Sequence, residues 1–242
     1  MIIVNADDYG RSRTETDLIL DCHAHRRITS ASAMVFMSDS SRAATLARDT
    51  ALDVGLHLNL SQRFTVPVTP ALQERHERLV RFLTASKYSL LMYNPWLRNA
   101  FRYVFEAQLD EFVRLYGRLP SHVDGHQHRH LCTNMVLDRV IPAHTKLRRG
   151  FSFWPGEKSW YNRVYRNALD RVLRRRYRVT DFFFSLGQCL TAKRLGRVFE
   201  LSKDADVELM THPVNAQEYH YLMSDAYLTA LRSLKAGTYQ SL

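Results

Sequence analysis

Cysteine is scarce in this sequence and does not pair: Cys22, Cys132 and Cys189 are an odd set with no C-x-x-C spacing. That argues against a disulfide framework and a thiolate zinc site. Long apolar runs are missing as well. No stretch approaches the roughly 20 residues that span a bilayer, and no signal-peptide layout precedes Asn5. These absences lead us to expect a cytoplasmic protein with reduced thiols, at most peripheral to the inner face of the membrane. No Gly/Ser-rich or acidic tract marks a disordered tail. Acidic residues number 24 against 34 Lys and Arg, a formal charge of +10. That charge suits nucleic acid, an anionic membrane or an acidic substrate without ranking them.

What is present is an ordinary globular composition, 45% hydrophobic and 24% charged, which we read as a single domain over residues 1–242. The chain opens MIIVNADDYG. Residues 1–4 read as a strand buried on both faces. It runs into Asp7 and Asp8, which repel each other and resist burial without a cation or an unusual proton affinity. Capping-box spacing in Ser12-Arg13-Thr14-Glu15 predicts a helix to about residue 26. A strand is expected over 28–36, a helix over 38–48 and a strand over 53–60.

Residues 61–95 read as an irregular excursion carrying a short helix, and a long helix over 96–116 stops at Gly117 and Pro120. SHVDGHQHRH at 121–130 begins as a strand, with a helix expected over 131–140. DVELMTHP at 206–213 is the last clear strand, before a helix over 225–234. Strands alternating with helices predict an α/β fold with mostly parallel strands, either a β/α barrel or an open doubly wound sheet. Both place functional groups at the strand carboxyl ends. Asp7, Asp8, His57, His126 and His212 fall at or near such ends.

One carboxylate and two imidazoles make a three-ligand site for a divalent ion, with positions left for water and substrate. A cation on Asp8 would relieve repulsion within the pair and leave Asp7 free to take a proton from metal-bound water, which points to hydrolysis. An amide substrate also needs a proton on its departing nitrogen, and His212 is the candidate donor. His122, Asp124, His126, His128 and His130 share parity and would line one face of an extended strand, but Gly125 predicts a bend. The same ligand count suits a two-histidine, one-carboxylate iron oxygenase, for which an adjacent base such as Asp7 has less use. A catalytically inactive, basic membrane or nucleic-acid binding protein is the non-enzymatic alternative.

The segments NADDYG, ITSASAM, GLHLNL, HVDGHQH and ELMTHP, in this order, resemble the YdjC-like carbohydrate deacetylase family, which includes chitooligosaccharide deacetylases. The resemblance spans residue 2 to about residue 215. It implies a distorted, TIM-like β/α barrel and a metal-dependent hydrolase that removes N-acetyl groups from an amino-sugar oligosaccharide or glycoconjugate. Carried over by position, Asp7 is the catalytic base, Asp8, His57 and His126 are the metal ligands, and His212 is the general acid. His128, with Asn59 and Asp124, would bind substrate or orient a ligand. Asp/His2 ligation suits zinc, and an open, oxygen-rich site also takes magnesium or manganese. Gly125 stands where the family commonly has serine, Arg27 stands where it usually has glycine, and the loop after Leu60 is unusual.

Residues 146–178 concentrate eleven Lys and Arg, Arg174, Arg175 and Arg176 among them, against Glu157 and Asp170. Trp154, Trp160 and Tyr161 are interleaved. This reads as a basic amphipathic helix able to lie on an anionic membrane, with the sugar carried on a glycolipid, or as a solvated face. Nucleic acid is the weaker partner, since no nucleic-acid motif accompanies the patch.

Overall fold

Eight consecutive buried residues, Ile2–Tyr9, form β1 and carry both aspartates into the interior. The computed structural model describes residues 1–242 except 87, 155 and 158, and the backbone without side chains at 161 and 163. Lys158 and the side chains of Tyr161 and Arg163, counted above in the basic segment, thus lie outside the described residues. After β1 come α1 (Arg13–Ala24), β2 (Ser30–Ala33), α2 (Ser40–Arg48), β3 (Asp53–Leu58) and α3 (Pro70–Thr84). Next are α4 (Arg98–Tyr116), β4 (Val123–Gly125), α5 (Thr133–Leu137), α6 (Trp160–Arg176) and β5 (Phe182–Ser185). The chain continues through α7 (Leu186–Thr191), α8 (Leu195–Asp204), β6 (Val207–Thr211), α9 (Ala216–Met223) and α10 (Asp225–Arg232).

Among the described residues the strands form one curled sheet in the order β4-β3-β2-β1-β6-β5, parallel at every pairing. Each strand is followed by helix, as parallel pairing requires. No helix among the described residues is long and apolar enough to cross a membrane.

The gap between β4 and β5 is spanned by an irregular stave, residues 144–152. Leu147 bridges Val123 and Lys146 bridges Arg178, both in parallel sense. The Arg148 amide donates to the Val123 carbonyl at 3.1 Å and the Ser152 amide to the Phe183 carbonyl at 2.9 Å. The first part of the basic segment is therefore a wall of the barrel, not a solvated or membrane-facing helix.

Helix α4 is long because Phe101, Val104, Phe105 and Phe112 recur at helical spacing and are all buried. Each fully buried side chain of this size is worth about 1.5–3 kcal/mol. The helix ends where expected: Gly117 takes φ 67 and its amide donates to the Val113 carbonyl at 2.8 Å. Ser12 is the N-cap of α1, but its hydroxyl meets the Glu15 carboxylate instead of a backbone amide. The excursion after Leu60 carries more helix than expected, the 15-residue α3 with Thr69 as its cap. The strand expected from residue 121 stops at Gly125, and the helix expected over 131–140 shrinks to α5.

Candidate active site

The adjacent carboxylates both approach His57 Nε2, Asp7 Oδ2 at 4.0 Å and Asp8 Oδ1 at 3.4 Å, because β1 is out of register. In a regular strand, successive side chains point to opposite faces. The β1·β2 ladder shifts between Ala6 and Tyr9, and Asp8 takes a left-handed φ of 71. This bulge, of the kind that re-aims side chains beside sites, brings Asp8 into a cluster with His57 and His126. One ligand atom from each lies within 4.8 Å of the others.

Asp8 Oδ1 is 3.0 Å from His126 Nδ1 and 3.4 Å from His57 Nε2, and Asp8 Oδ2 accepts from Arg11 at 3.1 Å. Burial pushes the Asp8 carboxyl up, but His126 and His57 outweigh it and hold it well below the usual carboxylate range. His57 Nδ1 sits 2.8 Å from Asp124 Oδ1. A proton on Nδ1, donated to that carboxylate, leaves Nε2 facing Asp8 with its lone pair, an arrangement typical of metal-binding histidines. Burial draws the His57 imidazole down, yet the charges of Asp124 and Asp7 push it up to about 10, so a bound cation would take the place of a proton on Nε2. Three buried donors converging on one point, with an acid behind one imidazole, fit a divalent cation.

Asp7, near the same imidazole, is held by different partners. Arg148 donates to both its oxygens, at 2.7 and 2.6 Å, and Asn5 donates to Oδ1 at 3.0 Å. Against the penalty of burial, Arg148 and His57 hold the Asp7 carboxyl below its ordinary value. The guanidinium is fully buried and also reaches Asp124 Oδ2 and Glu208 Oε1, each at 2.7 Å. One always-charged group thus compensates three buried acids.

Sequence reasoning placed Arg148 in the surface patch, and nothing in its Leu-Arg-Arg-Gly context separates it from Arg149, which pairs with Asp170. Glu208 did carry a signal. A charge inside the apolar run of a strand buried on both faces demands a partner.

His212 directly follows β6, one residue beyond the last β1·β6 pair, Ala6↔Thr211. Its amide and the Thr211 hydroxyl both donate to Glu218, each at 2.9 Å, which fixes the turn. His128 leaves the strand parity: Gln127 and His128 have φ of 53 and 56, so the chain coils into a tight turn after His126. Its ring packs edge-on against Phe151 at 4.5 Å, and burial lowers it to about 3.

His130 and His122 lie elsewhere. His130 Nε2 meets the Arg148 carbonyl at 3.0 Å, and His122 Nε2 meets the Ser32 hydroxyl at 2.9 Å. A side chain at Gly125 would place Cβ 2.9 Å from His130 Cβ, so the serine common in the family would require His130 to shift.

Two expectations need correcting. Asn59, expected to bind substrate or orient a ligand, is buried and its side chain caps the turn after β3, accepting from the Gln62 amide at 2.9 Å and donating to the Gln62 carbonyl at 2.7 Å. Gln108 of α4 clips its backbone. Trp154, grouped with Trp160 as a membrane contact, instead stacks on Phe184 at 5.6 Å under Arg197. Asp124 is fully buried behind His57, which leaves it to orient that ring.

A family profile described as YdjC-like protein matches residues 1–233. A "Chitooligosaccharide deacetylase" of Proteus mirabilis is 33% identical over 132 residues, 54% of this chain and 50% of its own length. A "Carbohydrate deacetylase" of Mus musculus is 30% identical over 251 residues, 88% of this chain and 77% of its own. In the Proteus mirabilis and Serratia marcescens proteins the match spans about half of their length. Among solved structures, an Enterococcus faecalis protein named for cellobiose-phosphate cleavage shares the fold at a TM-score of 0.70 and 20% identity, over 99% of this chain and 97% of that one. A xylanase CE4 domain from a termite hindgut metagenome reaches 0.53 at 10% identity, over 98% and 86%. With the match running over nearly all of a sheet whose strand ends gather Asp7, Asp8, His57 and His126, the chain belongs to the YdjC-like protein family.

Proposed function

We propose that this chain, as one domain, is a metal-dependent hydrolase removing N-acetyl groups from an amino-sugar oligosaccharide or glycoconjugate. One observation carries the reading: the β1 bulge brings two adjacent carboxylates to one imidazole, His57, where Asp8 also meets His126 and Asp7 is held by a guanidinium. The names of the relatives support the same chemistry and favour it over the iron oxygenase.

In this reading Asp8, His57 and His126 hold the divalent ion, and a one-oxygen, two-nitrogen donor set suits zinc, with magnesium the other expected ion. When bound, the ion supplies Lewis acidity, acidifying water and polarising the acetamide carbonyl. Asp7 accepts the proton of the attacking water. Arg148 keeps that carboxylate ionised at neutral pH and fixes its direction, while lowering its proton affinity. His212, just past the end of the neighbouring strand β6, donates to the departing amine. His128, neutral at pH 7, offers hydrogen bonds to the sugar next to the Phe151 face.

The test is acetate release from N-acetylated oligosaccharides and glycolipids by metal-stripped protein given Zn²⁺, Mg²⁺ or Mn²⁺ separately. Release restored by one of these ions is the expected result. Release that is indifferent to stripping, or none with metal bound across both substrate classes, would overturn the reading.

We also propose a peripheral contact between α6 and an anionic membrane or glycolipid surface. Trp160 is 67% exposed and Val164 48%, beside the exposed Arg171 and Arg175. The acid of this helix, Asp170, is paired with Arg149. Arg174 contributes less, since it pairs with Asp181 at 3.2 Å, and Arg176 turns back to the Ile141 carbonyl. Co-sedimentation with anionic liposomes, lost with uncharged ones, is expected. No binding to anionic liposomes would dismiss the contact.

A further inference from the structure

The family match ends at residue 233, yet the chain beyond it returns to the centre of the barrel. Residues 235–241 run across the amino-terminal ends of the strands. The Ile2 amide donates to the Lys235 carbonyl and the Gly237 amide to the Ile2 carbonyl, both at 2.9 Å. Gln240 and the Tyr239 amide both donate to Asp53. Tyr239 is fully buried, its ring stacked on His122 with centroids 3.8 Å apart and planes 11° from parallel. Its hydroxyl donates to Glu208 Oε2. The other oxygen, Glu208 Oε1, accepts from Arg148 Nε and Nη2 at 2.7 Å. From Tyr239, two residues thus lead to the bidentate grip of Arg148 on Asp7.

We propose that Tyr239 is a positioning residue for deacetylation, holding Glu208 so that Glu208 and Asp7 share Arg148 between them. The inference rests on the reading of Asp7 as the base. A fully buried carboxylate needs donors on both oxygens. Tyr239 supplies the donor on one oxygen of Glu208 and Arg148 those on the other.

Without the hydroxyl, Glu208 Oε2 faces a buried ring edge, the ionised form loses its support, and the acid takes up a proton. A neutral Glu208 no longer balances Arg148. The guanidinium is then drawn fully toward Asp7 and Asp124, and Asp7 becomes a weaker, misdirected base. Glu208 is poised for this. Burial raises its carboxyl to about 7, although Arg148 and the Tyr239 hydroxyl oppose the rise. The charged groups acting on it are Arg148, Asp124 and Asp7, and the neutral Tyr239 hydroxyl acts by its hydrogen bond.

The test uses Tyr239→Phe in the full chain, which keeps the ring and its stacking on His122. We expect kcat to fall about five- to tenfold with KM unchanged, and the acidic limb of the kcat profile to move to higher pH. Metal content should be unchanged and the Tm lowered by about 2–4 °C. In metal-free protein, the Arg148 Nε–H signal in a ¹⁵N NMR spectrum should shift. Glu208→Gln should remove that limb, and adding Tyr239→Phe to it should change kcat no further.

If Tyr239→Phe leaves kcat, the limb and the Arg148 signal as in the wild type, or if the two substitutions are additive, the inference is wrong. Wild-type protein that releases no acetate while holding metal would instead sink the deacetylase reading, and the Arg148 signal would still report whether the tail reaches the centre.

Discussion

Asp7→Asn lowers kcat by about 10²- to 10⁴-fold while leaving the metal content of the protein as it was, the range expected when a general base is lost. The amide cannot accept a proton from water, and the ligand set Asp8, His57 and His126 is untouched. Asp8→Ala and His57→Ala give the opposite pattern, loss of metal together with loss of turnover. Acetate release and metal content measured on the same preparations separate the two roles. Near-normal turnover in Asp7→Asn would mean that another group takes the proton.

Arg148→Met destabilises the metal-free protein by about 3–5 kcal/mol, because it strips the counter-charge from Asp7, Asp124 and Glu208 inside the barrel. Arg175→Ala, in the same basic segment but exposed, changes stability by no more than about 0.5 kcal/mol. Urea denaturation at pH 7 measures both. The pH dependence of the Arg148 effect follows from the acids it holds. Asp7 and Asp124 are kept below their ordinary value of 3.8, so their contribution is present above about pH 4 and is lost as pH falls through the lowered values. The gap between wild type and Arg148→Met therefore narrows below about pH 4 as Asp7 and Asp124 take up protons, and the share from Glu208, whose carboxyl is raised to about 7, grows as pH rises through that value. Equal stability of the two at pH 7 would show that the cluster is compensated by other means.

Much of the barrel was legible because its signals are local. The apolar opening run, the helix stop at Gly117 and the apolar approach to His212 each occupy a few adjacent residues. Strand β5 was not legible: Phe182–Ser185 is four residues long, three of them aromatic, and its pairing with β6 is decided by tertiary contact. The site was readable to the extent that its residues are of ligand type and fall near strand ends. The bulge at Asp8 and the burial of Arg148 were not, since one is a backbone irregularity and the other depends on partners up to 141 residues away. Parity in the histidine-rich segment misleads for the same reason, because Gln127 and His128 leave the extended conformation.

The stave at residues 144–152 also sets the order in which this centre is assembled. Asp7, Asp8 and Asp124 leave the ribosome before residue 148 does, so β1 to β4 exist for a time as a half-ring of acids without their guanidinium. Burying those carboxylates without their counter-charge is costly, so closure of the ring and drying of its centre are expected to coincide. Closure joins residues far apart in sequence and is slow by its topology. Salt and pH are therefore expected to act on the rate of folding through the same few acids that are proposed to carry the chemistry.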